Sequence, residues 1–142
     1  MIVRPDLVRR LVAANAGGSG REALDREFGV SRRLAVYGSL APGEANHHLV
    51  AGAGGAWTRG AVRGELHPTG WGMTLGYPAL CWNEEAPEVG VSVLESDGLP
   101  ALWPRLDEFE GEQYRRILVP VRIENGGLTA AHLYVLAETE TR

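Results

Sequence analysis

Lysine is absent from this 142-residue sequence, and all 14 basic residues are arginines. Enzymes that depend on a phosphate-loop lysine, a Schiff-base lysine or a lysine general base are therefore excluded. The single cysteine, Cys81, excludes an internal disulfide and a metal site built on a cysteine pair, and it is typical of a reducing compartment. No uncharged run reaches the length of a membrane span, and the charged N-terminus does not resemble a signal peptide. We therefore expect a cytoplasmic protein with no membrane partner.

Composition and charge favour a soluble globular domain. Hydrophobic residues make up 44% and charged residues 23% of the sequence, which argues against disorder. The arginines near the N-terminus alternate with acidic residues, and the net charge is -4, so we expect no nucleic-acid partner. Glycine occurs 19 times, which predicts many tight turns between short strands.

The first thirty residues predict a helical extension. A helix beginning near Pro5 would carry an apolar stripe on one side, formed by Leu7, Val8, Leu11 and Val12. The glycine-rich segment 16–20 ends this helix, and a second one over 21–28 would stop at the following glycine. We therefore divide the chain into an N-terminal extension, residues 1–30, and a main domain, residues 31–142.

The main domain shows the alternation of apolar and polar residues that is typical of short strands. Three such segments are 34–37, 57–66 and 87–94. A turn-rich patch over 70–81 separates two of them. A β-hairpin is predicted from strands over 114–123 and 128–136, joined by the turn Asn125-Gly126-Gly127. The expected fold is α+β, with a compact antiparallel or mixed sheet.

A helix predicted over 98–111 places one acidic residue on its apolar side. At 100° per residue the apolar stripe consists of Leu102, Trp103, Leu106 and Phe109. On the same wheel Glu110 falls at about 80°, inside the stripe, whereas Asp107 falls at about 140°, outside it. Burial and the negative end of the helix dipole would both raise the pKa of Glu110. A carboxyl with a raised pKa is suited to general acid–base catalysis near neutral pH.

The loop that follows the first predicted strand is a candidate binding site for an anion. Its sequence is Tyr37-Gly38-Ser39-Leu40. A strand that runs into such a turn can direct consecutive backbone N–H groups towards one negatively charged oxygen. An ordinary turn would have the same sequence pattern, so the loop alone does not decide between the two. Ser39 does not lie in the G-x-S-x-G pattern of a nucleophile elbow.

Several short motifs together resemble the gamma-glutamylcyclotransferase-like family. In chain order they are Val36-Tyr37-Gly38-Ser39-Leu40, Gly43-Glu44-Ala45-Asn46-His47-His48, Gly76-Tyr77-Pro78-Ala79-Leu80, Leu106-Asp107-Glu108-Phe109-Glu110-Gly111 and Tyr114-Arg115-Arg116. The resemblance covers about residues 33–137. It implies a small closed or nearly closed mixed β-barrel flanked by short helices, with residues 1–30 outside it.

The resemblance also implies a reaction. The α-amine of a γ-glutamyl compound would attack its own γ-carbonyl, releasing 5-oxoproline and an amine or amino acid. Glu110 would be the general acid and base. The backbone amides of Gly38, Ser39 and Leu40 would hold a carboxylate or oxyanion, with Tyr37 fixing the loop. No metal or cofactor is expected. The remaining candidates for substrate binding are Tyr114 and Arg115.

Two other readings stay open. The chain could be a non-catalytic barrel that binds a small acidic ligand or a partner, and its N-terminal helices could support a homodimer. It could also be a hydrolase with a Cys–His pair that uses Cys81, although an isolated cysteine among apolar neighbours is usually a small packing residue. The adjacent pair His47 and His48 would face different directions on a strand or a helix, so it is poorly suited to one metal ion.

Overall fold

The structure is a computed structural model that describes residues 2–67 and 79–136. The helices are α1 (Arg4–Asn15), α2 (Arg21–Phe28), α3 (His48–Ala51) and α4 (Leu99–Glu110). The strands are β1 (Arg33–Val36), β2 (Ala56–His67), β3 (Ala79–Trp82), β4 (Glu88–Glu95), β5 (Tyr114–Ile123) and β6 (Leu128–Leu136). None of the helices in these two stretches has the length and apolar character needed to cross a bilayer.

Five of the strands form a closed barrel in the order β2-β4-β1-β6-β5, and β5 pairs back onto β2. The sixth strand, β3, pairs with the other edge of β2. Strands β1 and β6 are parallel, whereas the other pairs are antiparallel. The expected α+β fold with a small mixed barrel and flanking short helices is therefore confirmed.

The barrel closes where β2 meets β5, and this closure needs a residue without a side chain. Gly60 lies opposite Ile123 of β5 and also opposite Val91 of β4. A Cβ atom at Gly60 would lie 2.9 Å from the carbonyl oxygen of Arg122. Glycine therefore lets the two strands approach closely enough to complete the barrel.

Alternating residues of the strands fill the barrel interior. This interior cluster includes Ala35, Val62, Leu80, Val91, Val93, Ile117, Val119, Val121, Ala131, Leu133 and Val135. Helix α4 covers one outer face, where Trp103 and Leu106 pack with Tyr134 of β6. Strands β1, β4, β5 and β6 therefore have buried apolar residues on both faces, as in a barrel with helices outside it.

The N-terminal helices α1 and α2 cover the outer face of the β5–β6 hairpin. Leu7 and Leu11 of α1 are buried there with Leu118 of β5. The side-chain amide of Asn15 donates to the carbonyl of Leu118 at 2.9 Å and accepts its N–H at 2.8 Å. These contacts attach the extension to the barrel. The division into residues 1–30 and 31–142 stays a prediction.

Two details of the predicted elements are wrong. Val12 does not belong to the buried stripe of α1, since it is 52% exposed, and Ala14 is buried instead. Residues 79–81 form most of a strand rather than a turn-rich patch, because β3 pairs with β2 with Leu80 opposite Leu66. The rest of the patch, 70–78, lies outside the described residues.

Candidate active site

Glu110 is the last residue of α4, and its side chain is half-buried. The helix ends there because Gly111 adopts φ +79°, a backbone conformation that favours glycine. Burial raises the pKa of Glu110 to about 7, and the negative charge of Asp107 adds to this effect. The helical wheel predicts the burial. The sequence also predicts the helix dipole as the second cause of the raised pKa. In the structure the second cause is instead the charge of Asp107, one turn earlier in the helix.

Asp107 is held in place by two side chains from the barrel. Arg116 donates to both carboxylate oxygens, at 2.9 Å and 3.0 Å, and the hydroxyl of Tyr134 donates to one of them at 2.6 Å. Partial burial opposes ionisation, but these hydrogen bonds hold the pKa of Asp107 below its ordinary value. Asp107 is therefore a fixed negative charge beside Glu110.

The hydroxyl of Tyr37, the residue that follows β1, connects this part of the chain to strands β3 and β6. The hydroxyl donates to the carbonyl of Tyr134 at 2.8 Å and accepts the N–H of Leu80 at 3.0 Å. Burial raises the pKa of Tyr37 well above its ordinary value, and the charge of Glu110 contributes to the same rise. The phenol is therefore neutral, and Glu110 lies close enough for its charge to act on Tyr37.

The loop after Tyr37 is anchored by its carbonyl groups. The carbonyl of Gly38 accepts the N–H of Ala41 at 3.0 Å, and that of Ser39 accepts the N–H of Asn46 at 2.8 Å. The N–H groups of Gly38, Ser39 and Leu40 donate no hydrogen bond to any of the residues described. Ser39 and Leu40 are only 6% and 4% exposed. The loop thus offers consecutive backbone donors in a largely buried setting.

A cavity of about 280 Å³ lies between the end of α4 and the beginning of β5. Its lining residues are Asp107, Tyr114, Arg115, Arg116 and Tyr134. Tyr114 and Arg115 therefore line one cavity, whereas Glu110 and the loop Tyr37–Leu40 are not among its lining residues. Tyr114 is buried, whereas Arg115 is exposed.

Sequence reasoning assigned no role to Asp107, Arg116 or Tyr134, although Asp107 and Arg116 stand within the motifs that carry the family resemblance. One local signal was available for Asp107, because residues three apart on a helix are neighbours. The other two residues reach α4 from strands β5 and β6, which no local pattern reveals. The Gly76-Tyr77-Pro78 part of the third motif lies outside the described residues.

The cysteine and the histidines lie in different surroundings. Cys81 is on β3 and is partly exposed rather than fully buried. His47 packs against Trp57 with ring centroids 5.4 Å apart. His132 packs against Trp103, and burial lowers its pKa to about 3. Across 2–67 and 79–136, no three histidine, cysteine or acidic side chains gather as a metal site would require.

Comparison with known proteins identifies the family. The family model described as gamma-glutamyl cyclotransferase, AIG2-like, matches residues 34–142. The chain belongs to this family. The match begins at the first barrel strand, so α1 and α2 lie outside the part of the chain that it covers. Among the curated proteins, none matches this sequence.

Several solved structures share the fold of this chain. YkqA from Bacillus subtilis is 27% identical with a TM-score of 0.60, and the alignment covers 78% of this chain but only 37% of YkqA. A solution structure from Arabidopsis thaliana is 23% identical with a TM-score of 0.56, over 74% of this chain and 61% of that protein. An aig2-like protein from Mus musculus is 21% identical with a TM-score of 0.56, and the alignment covers 77% of this chain and 79% of the mouse protein. The last two show a common fold and no more.

Proposed function

We propose that the chain is a cyclotransferase that acts on γ-glutamyl compounds. The α-amine of the substrate attacks the γ-carbonyl carbon, so that a new N–C bond closes 5-oxoproline while the original amide C–N bond breaks. Membership of the gamma-glutamyl cyclotransferase, AIG2-like family supports this reaction class. The observation that carries the proposal is a half-buried carboxyl, Glu110, whose pKa is about 7.

Glu110 serves as both base and acid in this reaction. A group with a pKa of about 7 is populated in both protonation states at neutral pH, which favours proton transfer in each direction. Its carboxylate takes a proton from the attacking amine and returns one to the departing nitrogen. Within 2–67 and 79–136 no hydrogen bond or ion pair occupies the Glu110 carboxyl, so its oxygens remain available to substrate.

The loop 38–40 supplies the complementary contacts. Its three N–H groups, which have no acceptor among the described residues, bind the α-carboxylate of the substrate or the developing oxyanion. Tyr37 holds the start of this loop through its bonds to β3 and β6. The loop and Glu110 together keep the γ-glutamyl chain curled between them.

This reaction needs no nucleophile from the protein. Both reacting groups belong to the substrate, so holding them in contact supplies much of the rate acceleration. The absence of lysine and the single cysteine are compatible with this mechanism, and we expect no metal or cofactor to take part in it.

Turnover is the test of this proposal. The purified protein is incubated with glutathione, γ-glutamyl dipeptides and γ-glutamylamines, and 5-oxoproline is measured by mass spectrometry. We expect release from at least one of them, and a loss of at least about 100-fold in Glu110→Gln, since general acid–base groups contribute roughly 100- to 10,000-fold. Glu108→Gln is the matched control, because Glu108 is an exposed residue of the same helix.

Two outcomes would contradict the proposal. Undiminished 5-oxoproline release by Glu110→Gln would remove Glu110 from the mechanism. Binding of a γ-glutamyl compound without any release would instead support the non-catalytic barrel.

A further inference from the structure

Arg4, the first residue of α1, forms an ion pair with the segment that follows β3. Its guanidinium donates to both carboxylate oxygens of Glu84, at 2.6 Å and 3.2 Å, and the two side chains are only 18% and 22% exposed. Burial favours the neutral acid, but hydrogen bonds from Arg4 and Trp82 hold the pKa of Glu84 below its ordinary value. Arg63 of β2 lies 3.9 Å from the same carboxylate, so Arg4 is the closer cation. A two-pronged contact of this kind fixes the position of the carboxylate as well as its charge.

Glu84 in turn holds Trp82, the last residue of β3. The indole N–H of Trp82 donates to Oε2 of Glu84 at 2.6 Å. The side chain of Trp82 packs against the cluster inside the barrel and also against the cluster beneath α1 and α2. Trp82 therefore joins the extension to the barrel, and Arg4 holds it there through one carboxylate.

Strand β3 lies at the end of the sheet, where its four residues pair with β2. Two residues before Trp82, the N–H of Leu80 donates to the hydroxyl of Tyr37, which donates to the carbonyl of Tyr134 on β6. In the strand order of the described residues, β3 and β6 are not neighbours, so this hydroxyl takes the place of a strand-to-strand hydrogen bond. A movement of β3 would therefore reach Tyr37 and the loop that follows it.

We propose that Arg4 is a positioning residue of the candidate active site: through the carboxylate of Glu84 it fixes β3, and β3 fixes the hydroxyl of Tyr37. The N–H groups of the loop 38–40 are thereby kept where they would bind substrate. The effect on turnover rests on the proposed cyclotransferase activity, whereas the effect on β3 does not. The family match begins at residue 34, so the extension of this chain, and not the barrel of the family, supplies Arg4.

Helix α1 is attached to the barrel without the help of Arg4. Leu7 and Leu11 are buried against Leu118 of β5, and Asn15, at the other end of the helix, forms two hydrogen bonds with the backbone of Leu118. Loss of the Arg4 side chain should therefore leave α1 in place and weaken only the hold on β3.

Amide hydrogen exchange at Leu80 tests the inference without any substrate. The bond to the Tyr37 hydroxyl protects this N–H, and in Arg4→Gln it should exchange about fivefold faster, as expected for the loss of a partly exposed charged pair. Arg4→Lys keeps the charge and should restore part of the protection. Arg10→Gln is the matched control, because it removes an ion pair with Glu27 at 2.7 Å that joins α1 to α2. In that variant Leu80 should exchange as in wild type.

A second measurement combines Arg4→Gln with Tyr37→Phe. Arg4→Gln alone should lower kcat/KM for 5-oxoproline release by about fivefold. In a protein that already carries Tyr37→Phe it should lower kcat/KM no further, because the effect passes through the Tyr37 hydroxyl. Two contacts that each support only the general stability of the fold would instead give losses that multiply.

The possible results separate this inference from the proposed function. Unchanged Leu80 exchange in Arg4→Gln would overturn the inference, whether or not the protein turns over a γ-glutamyl compound. Losses that multiply in the double variant would also overturn it and would leave the cyclotransferase activity intact. Faster Leu80 exchange in Arg4→Gln, in a protein that releases no 5-oxoproline from any γ-glutamyl compound, would refute the proposed function and still support the fixing of β3 by Arg4.

Discussion

The raised pKa of Glu110 has a consequence for stability that can be measured without any substrate. The side chain has a pKa of about 7 in the folded protein against 4.5 for the ordinary carboxyl. Between these two values the folded state binds more protons than the unfolded state, so the free energy of unfolding falls as pH rises. Ionised Glu110 therefore destabilises the folded protein above pH 7, and replacement by neutral glutamine should remove this penalty.

The magnitude follows from the two pKa values. Their difference, 7 minus 4.5, is about 2.5, and each pH unit corresponds to 1.36 kcal/mol, which gives an upper limit of about 3 kcal/mol. Partial exposure of Glu110 lets water screen its charge, so we expect Glu110→Gln to gain between about 1 and 3 kcal/mol over wild type at pH 8. At pH 5 the folded carboxyl is protonated and most of this gain disappears.

Urea unfolding at pH 5 and pH 8 measures this difference for wild type, Glu110→Gln and Glu108→Gln. The difference between wild type and Glu110→Gln should grow with pH, whereas Glu108→Gln should follow wild type at both pH values because its side chain is exposed. A Glu110→Gln effect of the same size at pH 5 and pH 8 would refute the raised pKa. Such a result would also remove the main physical support for Glu110 as the proton-transferring group.

Three further variants test the neighbouring residues. In wild type kcat/KM should rise with pH, with a midpoint near pH 7 where Glu110 loses its proton. Asp107→Asn removes a nearby negative charge and should therefore move the midpoint of this pH profile to lower pH. An unchanged midpoint would show that Asp107 does not act on Glu110. Tyr37→Phe leaves the N–H of Leu80 and the carbonyl of Tyr134 without the hydroxyl that they bind. The free energy of unfolding measured in urea should therefore fall by about 1 to 3 kcal/mol, and kcat/KM should also fall. Wild-type stability in this variant would contradict the linking role of Tyr37. Cys81→Ala should retain 5-oxoproline release within about threefold, since no step assigned to the site uses a thiol; complete loss with the fold intact would favour the Cys–His hydrolase.

Most of the helices and strands could be predicted from local sequence patterns, because each of them depends on residues that are close together in the chain. The β5–β6 hairpin forms as predicted over Tyr114–Ile123 and Leu128–Leu136, since alternation and the glycine turn act together. Helix α2 ends at the predicted glycine for the same kind of reason. The closed barrel itself was implied only by the family resemblance. No local pattern shows that β5 pairs back onto β2, since this contact joins residues about 60 positions apart.

The candidate site shows the same limit. The wheel placed Glu110 on the apolar side of its helix because that is a property of the helix alone. The wheel also placed Asp107 outside the stripe, and this is correct as geometry, since its side chain is 45% exposed. What the wheel could not show is that Arg116 and Tyr134 reach over from the barrel to hold it. The partly exposed carboxylate of Asp107 is thereby fixed beside the half-buried carboxyl of Glu110.

Helices α1 and α2 lie outside the family match, yet they contact the strands that position the site. Leu118 faces these helices, while its neighbours Ile117 and Val119 face the barrel interior. Strand β5 is therefore packed on both sides just beyond Tyr114 and Arg115, which line the cavity. Because a strand packed on both faces cannot shift without disrupting two clusters at once, the outer helices restrict the position of the β5 segment that lines the cavity.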